Sequence, residues 1–182
     1  QCVAHIKQQS LAQLVQISEG RFYPLPKQLT HVGYDAIVCV DAAYHAQSLA
    51  QFLGVIASVL KTEGRFAFST LMLADDYANY QLTQRLFVQG VLRLANINKA
   101  NVLSHAQIMK LAHQQHLLDI KIVPLNSVFA GFAQWVEQRG TQLPQSLKLS
   151  KDWQKIYLTA RWCNWLVNHP LLSYVLVSGK KQ

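Results

Sequence analysis

Residues 36–40 form an unbroken apolar run of Ala36, Ile37, Val38, Cys39 and Val40. A run this short and rich in β-branched side chains predicts a strand buried on both faces. Beyond it, Leu49, Phe52, Leu53, Ile56 and Leu60 recur at helical spacing. Ser48 suits the N-cap of that helix, Lys61 its C-terminus and Gly64 the turn that follows. Residues 66–73 are again continuously apolar or small and predict a second strand. Strand, helix and strand in this order make a right-handed βαβ unit.

The flanking pattern is less regular. Residues 3–13 read as a helix and residues 14–18 as a short strand. Pro24 and Pro26 then impose a loop. After the second strand, Asp75 and Asp76 begin a polar turn; paired carboxylates can serve acid–base or metal chemistry, but here they suit the cap of the next helix. That helix spans residues 80–95, with Leu82, Leu86, Val88, Val91, Leu92 and Ala95 as its apolar face. Ser104 opens another helix, running to His116. Residues 118–125 alternate as a strand does. Residues 128–169 read as helical and hold Trp135, Trp153, Trp162 and Trp165, all four tryptophans of the chain. Residues 173–179 predict the last strand.

Composition narrows the class. With 51% hydrophobic and 14% charged residues, the chain is not disordered and has the length for one sizeable core. The 17 basic and 9 acidic residues give a net charge of +8, but Lys and Arg are scattered, which suits a basic surface better than a nucleic-acid site. No RNA-binding motif is present. Cys2, Cys39 and Cys163 form no Cys-x-x-Cys and no even set, so neither zinc nor a disulfide framework is indicated and a reducing, cytoplasmic setting is the expectation. His113 and His116 share a helical face, but no acid or cysteine accompanies them, and they read as solvated.

Candidate chemistry concentrates where the first strand ends. Asp41, Ala42, Ala43, Tyr44 and His45 follow Val40 directly. In open α/β sheets ligands bind beyond the carboxyl ends of strands. An acid, two small residues, a phenol and an imidazole there could form a reaction site.

The order Tyr-Asp-x-Ile-Val-x-x-Asp-Ala-x-Tyr-His, a helix, then Val59-Leu60-Lys61-Thr62-Glu63-Gly64-Arg65 resembles class I S-adenosylmethionine-dependent methyltransferases of the type 11 kind, in their fourth-to-fifth-strand region. Residues 174–181 are similar to that family's last strand. The resemblance implies a Rossmann-like, doubly wound α/β sheet, with residues 1–182 as one domain truncated at its N-terminus. It also implies helical lids near residues 76–100 and 128–169. S-adenosyl-L-methionine would be the cofactor and a small molecule, apolar or lipid-like, the acceptor. His45 would be the base and Tyr44 would orient the acceptor, while Asp41 and Ala42 would lie by the cofactor's methionyl part. In the loop corresponding to the family's Gly-Asp-Ala, Gly20, Leu25 and Pro26 match and Arg21 replaces the acid, leaving Glu19 and Phe22 as the adenine contacts. The eight glycines are isolated and form no Gly-rich cofactor loop. The chain therefore reads as the C-terminal two-thirds of such an enzyme, or alternatively as an inactive methyltransferase-like binding module. The aromatic and basic helices of residues 128–169 could touch a membrane peripherally or simply form an aromatic core.

Overall fold

A computed structural model describes residues 13–125 and 127–182. The helix expected over residues 3–13, and Cys2, lie almost wholly outside that range. The elements in chain order are α1 (Lys27–Thr30), β1 (Tyr34–Cys39), α2 (Leu49–Val59), β2 (Leu60–Leu73), α3 (Leu82–Leu94), α4 (His105–Gln114), β3 (Leu117–Pro124), α5 (Ser127–Gln142), α6 (Gln145–Lys148), α7 (Lys151–Asn168) and β4 (Leu172–Lys181). Short 3₁₀ turns interrupt the connections at Ala43–His45, Tyr77–Asn79 and Lys99–Asn101.

The four strands form one sheet in the order β1-β2-β4-β3. β1 and β2 are parallel, with Ile37 beside Phe66 and Cys39 beside Phe68. β4 runs antiparallel to both β2 and β3, as the resemblance implies for the last strand. The crossover from β3 through α5, α6 and α7 returns the chain between β2 and β3. Helices α2 and α4 cover one sheet face, where Phe52, Leu53, Ile56, Ile108 and Ala112 pack on Phe66, Phe68, Val175 and Val177. A second cluster joins α3 and α7 to the strand ends through Val88, Leu92, Leu166, Leu71 and Tyr174.

Several expectations change in the folded chain. Residues 14–18 form no strand, and Leu14, Val15 and Ile17 are exposed, because a short isolated segment needs a strand neighbour to pair with. β1 is not buried on both faces. Among the described residues it lies at the sheet edge, with Val38 72% exposed and Val40, just past its end, 67% exposed. Ser48 occupies the N-cap of α2 but makes no side-chain cap. The helix passes straight into β2 at Leu60, and Lys61 and Gly64 belong to an irregular start of that strand rather than to a separate turn. Five residues of β2 there span two of β1, with Glu63 at φ 61°. A Cβ on Gly64 would lie 2.8 Å from the Lys61 carbonyl oxygen and 3.0 Å from that of Tyr34, so only glycine fits.

Asp75 and Asp76 do not cap α3. Its N-terminus is held by Gln81 and Gln84 in a reciprocal capping box, and Asp76 instead precedes the turn Tyr77–Asn79. Leu82 and Leu86 stand on the exposed side of α3, while Val88, Val91 and Leu92 are buried. Ser104 does cap α4 as expected, in a capping box with Gln107. The tryptophans divide. Trp162 and Trp165 pack edge-on against Phe87 at 5.8 and 4.7 Å, whereas Trp135 is exposed.

Candidate functional site

The chain reverses sharply where β1 ends. Asp41 adopts φ 55°, a left-handed conformation that Asp tolerates better than most residues. Its backbone N–H donates to Ser69 Oγ of β2 at 2.8 Å. Its carboxylate Oδ1 accepts from the Tyr174 hydroxyl of β4, and Tyr174 Oη also lies 2.7 Å from Ser69 Oγ. Tyr174 has one proton for two oxygen neighbours. Given to the carboxylate, it leaves the Ser69 proton for Tyr174, and the three residues close a ring of hydrogen bonds across three strands.

The turn Ala43–His45 follows, with Ala43 buried beneath it. Asn101 anchors this turn. Its side-chain amide donates to the carbonyls of Ala46 and, at 3.4 Å, Tyr44, while its Oδ1 accepts from the Leu49 N–H at 2.9 Å. Asn101 is 1% exposed. One buried side chain thus supplies the cap that Ser48 does not, and fixes the backbone presenting Tyr44 and His45.

Two cavities meet at His45. The first, about 480 Å³, lies between the loop of residues 18–29 and the start of α2, lined by Gly20, Arg21, Phe22, Pro26, Ser48 and Phe52 among others. Phe22 packs edge-on to Phe52 at 5.2 Å, and Phe52 to Phe68 at 5.3 Å. The second, about 360 Å³, runs under α3, α5 and α7; Asp41, Tyr44, Leu92, Phe129, Cys163 and Tyr174 are among its lining residues. His45 lines both. The rings of Tyr44 and His45 are 4.6 Å apart.

Burial, and then the Asp41 carboxylate, pushes the Tyr44 phenol up to about 12. Burial raises Tyr174 as well, and donating to Asp41 raises it further. The Cys163 thiol is pushed up to about 11 by burial. All three are therefore neutral hydrogen-bonding groups near neutral pH, and Tyr44 cannot act there as a phenolate base.

Of the residues singled out in the sequence, Asp41, Tyr44 and His45 come together. Phe22 reaches His45 only across the first cavity. Ala42 lines neither cavity, and its carbonyl accepts from the His45 N–H at 3.0 Å. Glu19 is exposed and lines neither, whereas Arg21 does line the first. Among the described residues no cluster of His, Cys, Asp and Glu could hold a metal ion, and His113 and His116 are exposed. Reading the sequence missed Ser69, Asn101, Cys163 and Tyr174. Ser69 and Thr70 interrupt the otherwise apolar residues 66–73 of β2, a local signal that this strand end carries polar groups.

No family profile matches this sequence, and no curated protein matches it significantly. Solved structures do match in shape. A Galdieria sulphuraria protein provisionally assigned as a sarcosine dimethylglycine methyltransferase superposes with a TM-score of 0.75 at 18% identity, over 98% of this chain and 64% of the other. The geranyl diphosphate C-methyltransferase of Streptomyces coelicolor, solved with S-adenosyl-L-homocysteine, gives 0.67 at 14% identity, over 98% and 58%. The [4+2]-cyclase SpnF gives 0.68 at 13% identity, over 98% and 61%. The fold is that of the class I methyltransferases, with helical insertions beyond the core strands. The chain spans about three-fifths of the length of these structures. Several similar structures hold S-adenosylmethionine or its demethylated product. The cyclase shows that this fold also hosts other chemistry.

Proposed function

We propose that this chain is the acceptor-side part of an S-adenosylmethionine-dependent methyltransferase of the type 11 kind, acting on an apolar small molecule. The observation that carries this reading is the pair of cavities meeting at His45. One cavity has the aromatic floor and size for an adenosyl group, and the other is a predominantly apolar chamber. The cofactor, when bound, supplies an activated methyl group.

The residues present fit that group in part. Phe22, Pro26 and Phe52 offer apolar surface to a flat purine, and Ser48 and Gln51 offer polar groups at the edge of the same cavity. Arg21 is a donor where the related enzymes place an acceptor, so it cannot accept from an adenine amino group. His45, on the rim of both cavities, is placed to take a proton from an acceptor's oxygen or nitrogen. Tyr44, neutral and half-buried, orients the acceptor as a donor and an apolar wall. Asp41, which the resemblance assigns to the cofactor's methionyl part, lines the apolar chamber. Helices α3, α5 and α7 form the lid over it and keep water from the transfer.

Calorimetry of the full-length protein with S-adenosyl-L-homocysteine and with NAD tests this reading. Binding of the former alone supports it. Binding of NAD alone would end it, and binding of neither would favour an inactive module. No helix among the described residues is long and apolar enough to cross a membrane.

A further inference from the structure

Among the described residues lining the chamber under α3, α5 and α7, Asp41 is the one carboxylate. Leu71, Val91, Leu92, Ile97, Phe129 and Phe132 make up much of its wall. Neither Lys nor Arg is among its described lining residues. Four of its polar groups are near one another, Tyr174 bonded to Asp41 and the Tyr44 ring beside that of His45, while Thr159 and Cys163 line it from α7. No ion pair among the described residues involves Asp41.

Tyr174 occupies one oxygen of the Asp41 carboxylate. A carboxylate accepts about four hydrogen bonds, so most of its capacity stays open. The ring of bonds through Ser69 fixes its direction. We infer that this chamber takes an apolar molecule whose polar end donates a hydrogen bond to Asp41, as a hydroxyl or an ammonium does, and that it rejects molecules ending in phosphate or carboxylate. The inference rests on reading the chamber as the acceptor site. It moves Asp41 from the cofactor to the acceptor. An anionic end would face a like charge with no Lys or Arg among the described lining residues to offset it. A donating end also carries the proton that His45 is placed to remove.

Matched ten-carbon probes test this without any methyl transfer. In calorimetry at pH 8, decylamine and 1-decanol should bind saturably, and decanoate and decyl phosphate at least ~tenfold more weakly, the ratio that a modest charge effect gives. Asp41→Asn keeps a residue suited to φ 55° and removes the charge. In that variant the gap between decylamine and decanoate should fall below ~threefold, as the like charge is gone. Cys163 lines the chamber, so decylamine should slow its alkylation by N-ethylmaleimide, followed by peptide mass spectrometry. Decanoate or decyl phosphate binding as tightly as decylamine would overturn the inference. So would an undiminished gap between decylamine and decanoate in Asp41→Asn, or an unprotected Cys163. Absence of methyl transfer would remove the enzyme reading and leave this one standing. Methylation of a carboxylate-ended acceptor would do the reverse.

Discussion

The backbone N–H of Leu49 donates to Oδ1 of Asn101, 52 residues further along the chain, at 2.9 Å. This bond caps α2 from a distant loop and ties down the turn that carries Tyr44 and His45. Asn101→Ala would leave the Leu49 N–H and the Ala46 carbonyl without their partner in the interior. The expected loss is ~2–3 kcal/mol of unfolding free energy, from two buried backbone groups left unsatisfied. Urea denaturation measures it. A loss below ~0.5 kcal/mol, the range of surface substitutions, would show that the turn holds itself.

His45 is proposed as the base at the junction of the two cavities. His45→Ala should lower kcat by ~10²-fold or more, the usual share of general base catalysis. The Kd for S-adenosyl-L-homocysteine should change far less, because the imidazole is assigned to the acceptor. Single-turnover kinetics beside calorimetry separates the two effects. An unchanged kcat would make His45 a structural residue of the turn.

Phe22 is 36% exposed and leans on Phe52, which is in the core. Phe22→Ala should therefore cost little stability yet weaken adenosyl-ligand binding by ~tenfold, the loss of roughly one aromatic contact. Phe52→Ala should instead destabilise the fold by ~3–5 kcal/mol through a core cavity. Melting curves with and without ligand distinguish the two variants. Equal effects on stability would mean that the residue 18–29 loop belongs to the core.

Alkaline pH should unfold the protein in a defined window. Burial raises Cys163 from 9.0 to about 11 and is the main cause raising Tyr44 from 10.0 to about 12. Both groups are neutral when protonated, so the unfolded chain loses their protons first as pH rises. Their contribution is complete below the unfolded values and is lost as pH climbs through the folded ones. Urea midpoints should thus hold up to about pH 9 and fall towards pH 12. Tyr44→Phe should flatten the upper part of that fall. If the variant falls as steeply as the wild type, Tyr44 titrates as an exposed phenol.

The free edge of β1 makes self-association the expected behaviour of this chain. Among the described residues β1 pairs only with β2, and Val38 on it and Val40 just past its end stand exposed. Unpaired edges with apolar side chains recruit other strands. Size-exclusion chromatography should show oligomers that Val38→Lys reduces, since an edge lysine opposes such pairing. A monodisperse wild-type chain would show that the edge is protected.

The local pattern of this sequence determined its elements. Short apolar runs became β1, β2 and β4, and the helical spacing of Leu49, Phe52, Leu53 and Ile56 became the buried face of α2. Ser104 and Gln107 close a capping box that their spacing announces. That Asp41, Tyr44 and His45 come together around one cavity was legible because all three closely follow one strand end. What the sequence could not show is whatever depends on pairing across the sheet. Tyr174 meets Asp41 from 133 residues away, because the antiparallel return of β4 beside β2 brings it next to Ser69. Asn101 caps a helix whose own N-cap residue, Ser48, makes no side-chain bond to it. Residues 14–18 fail as a strand, and β1 lies exposed, because strand burial is decided by neighbours rather than by side-chain type. Periodicity follows from backbone geometry within a few residues. The polar network at the site depends on which distant backbones approach within hydrogen-bond reach, and only the tertiary fold sets that distance.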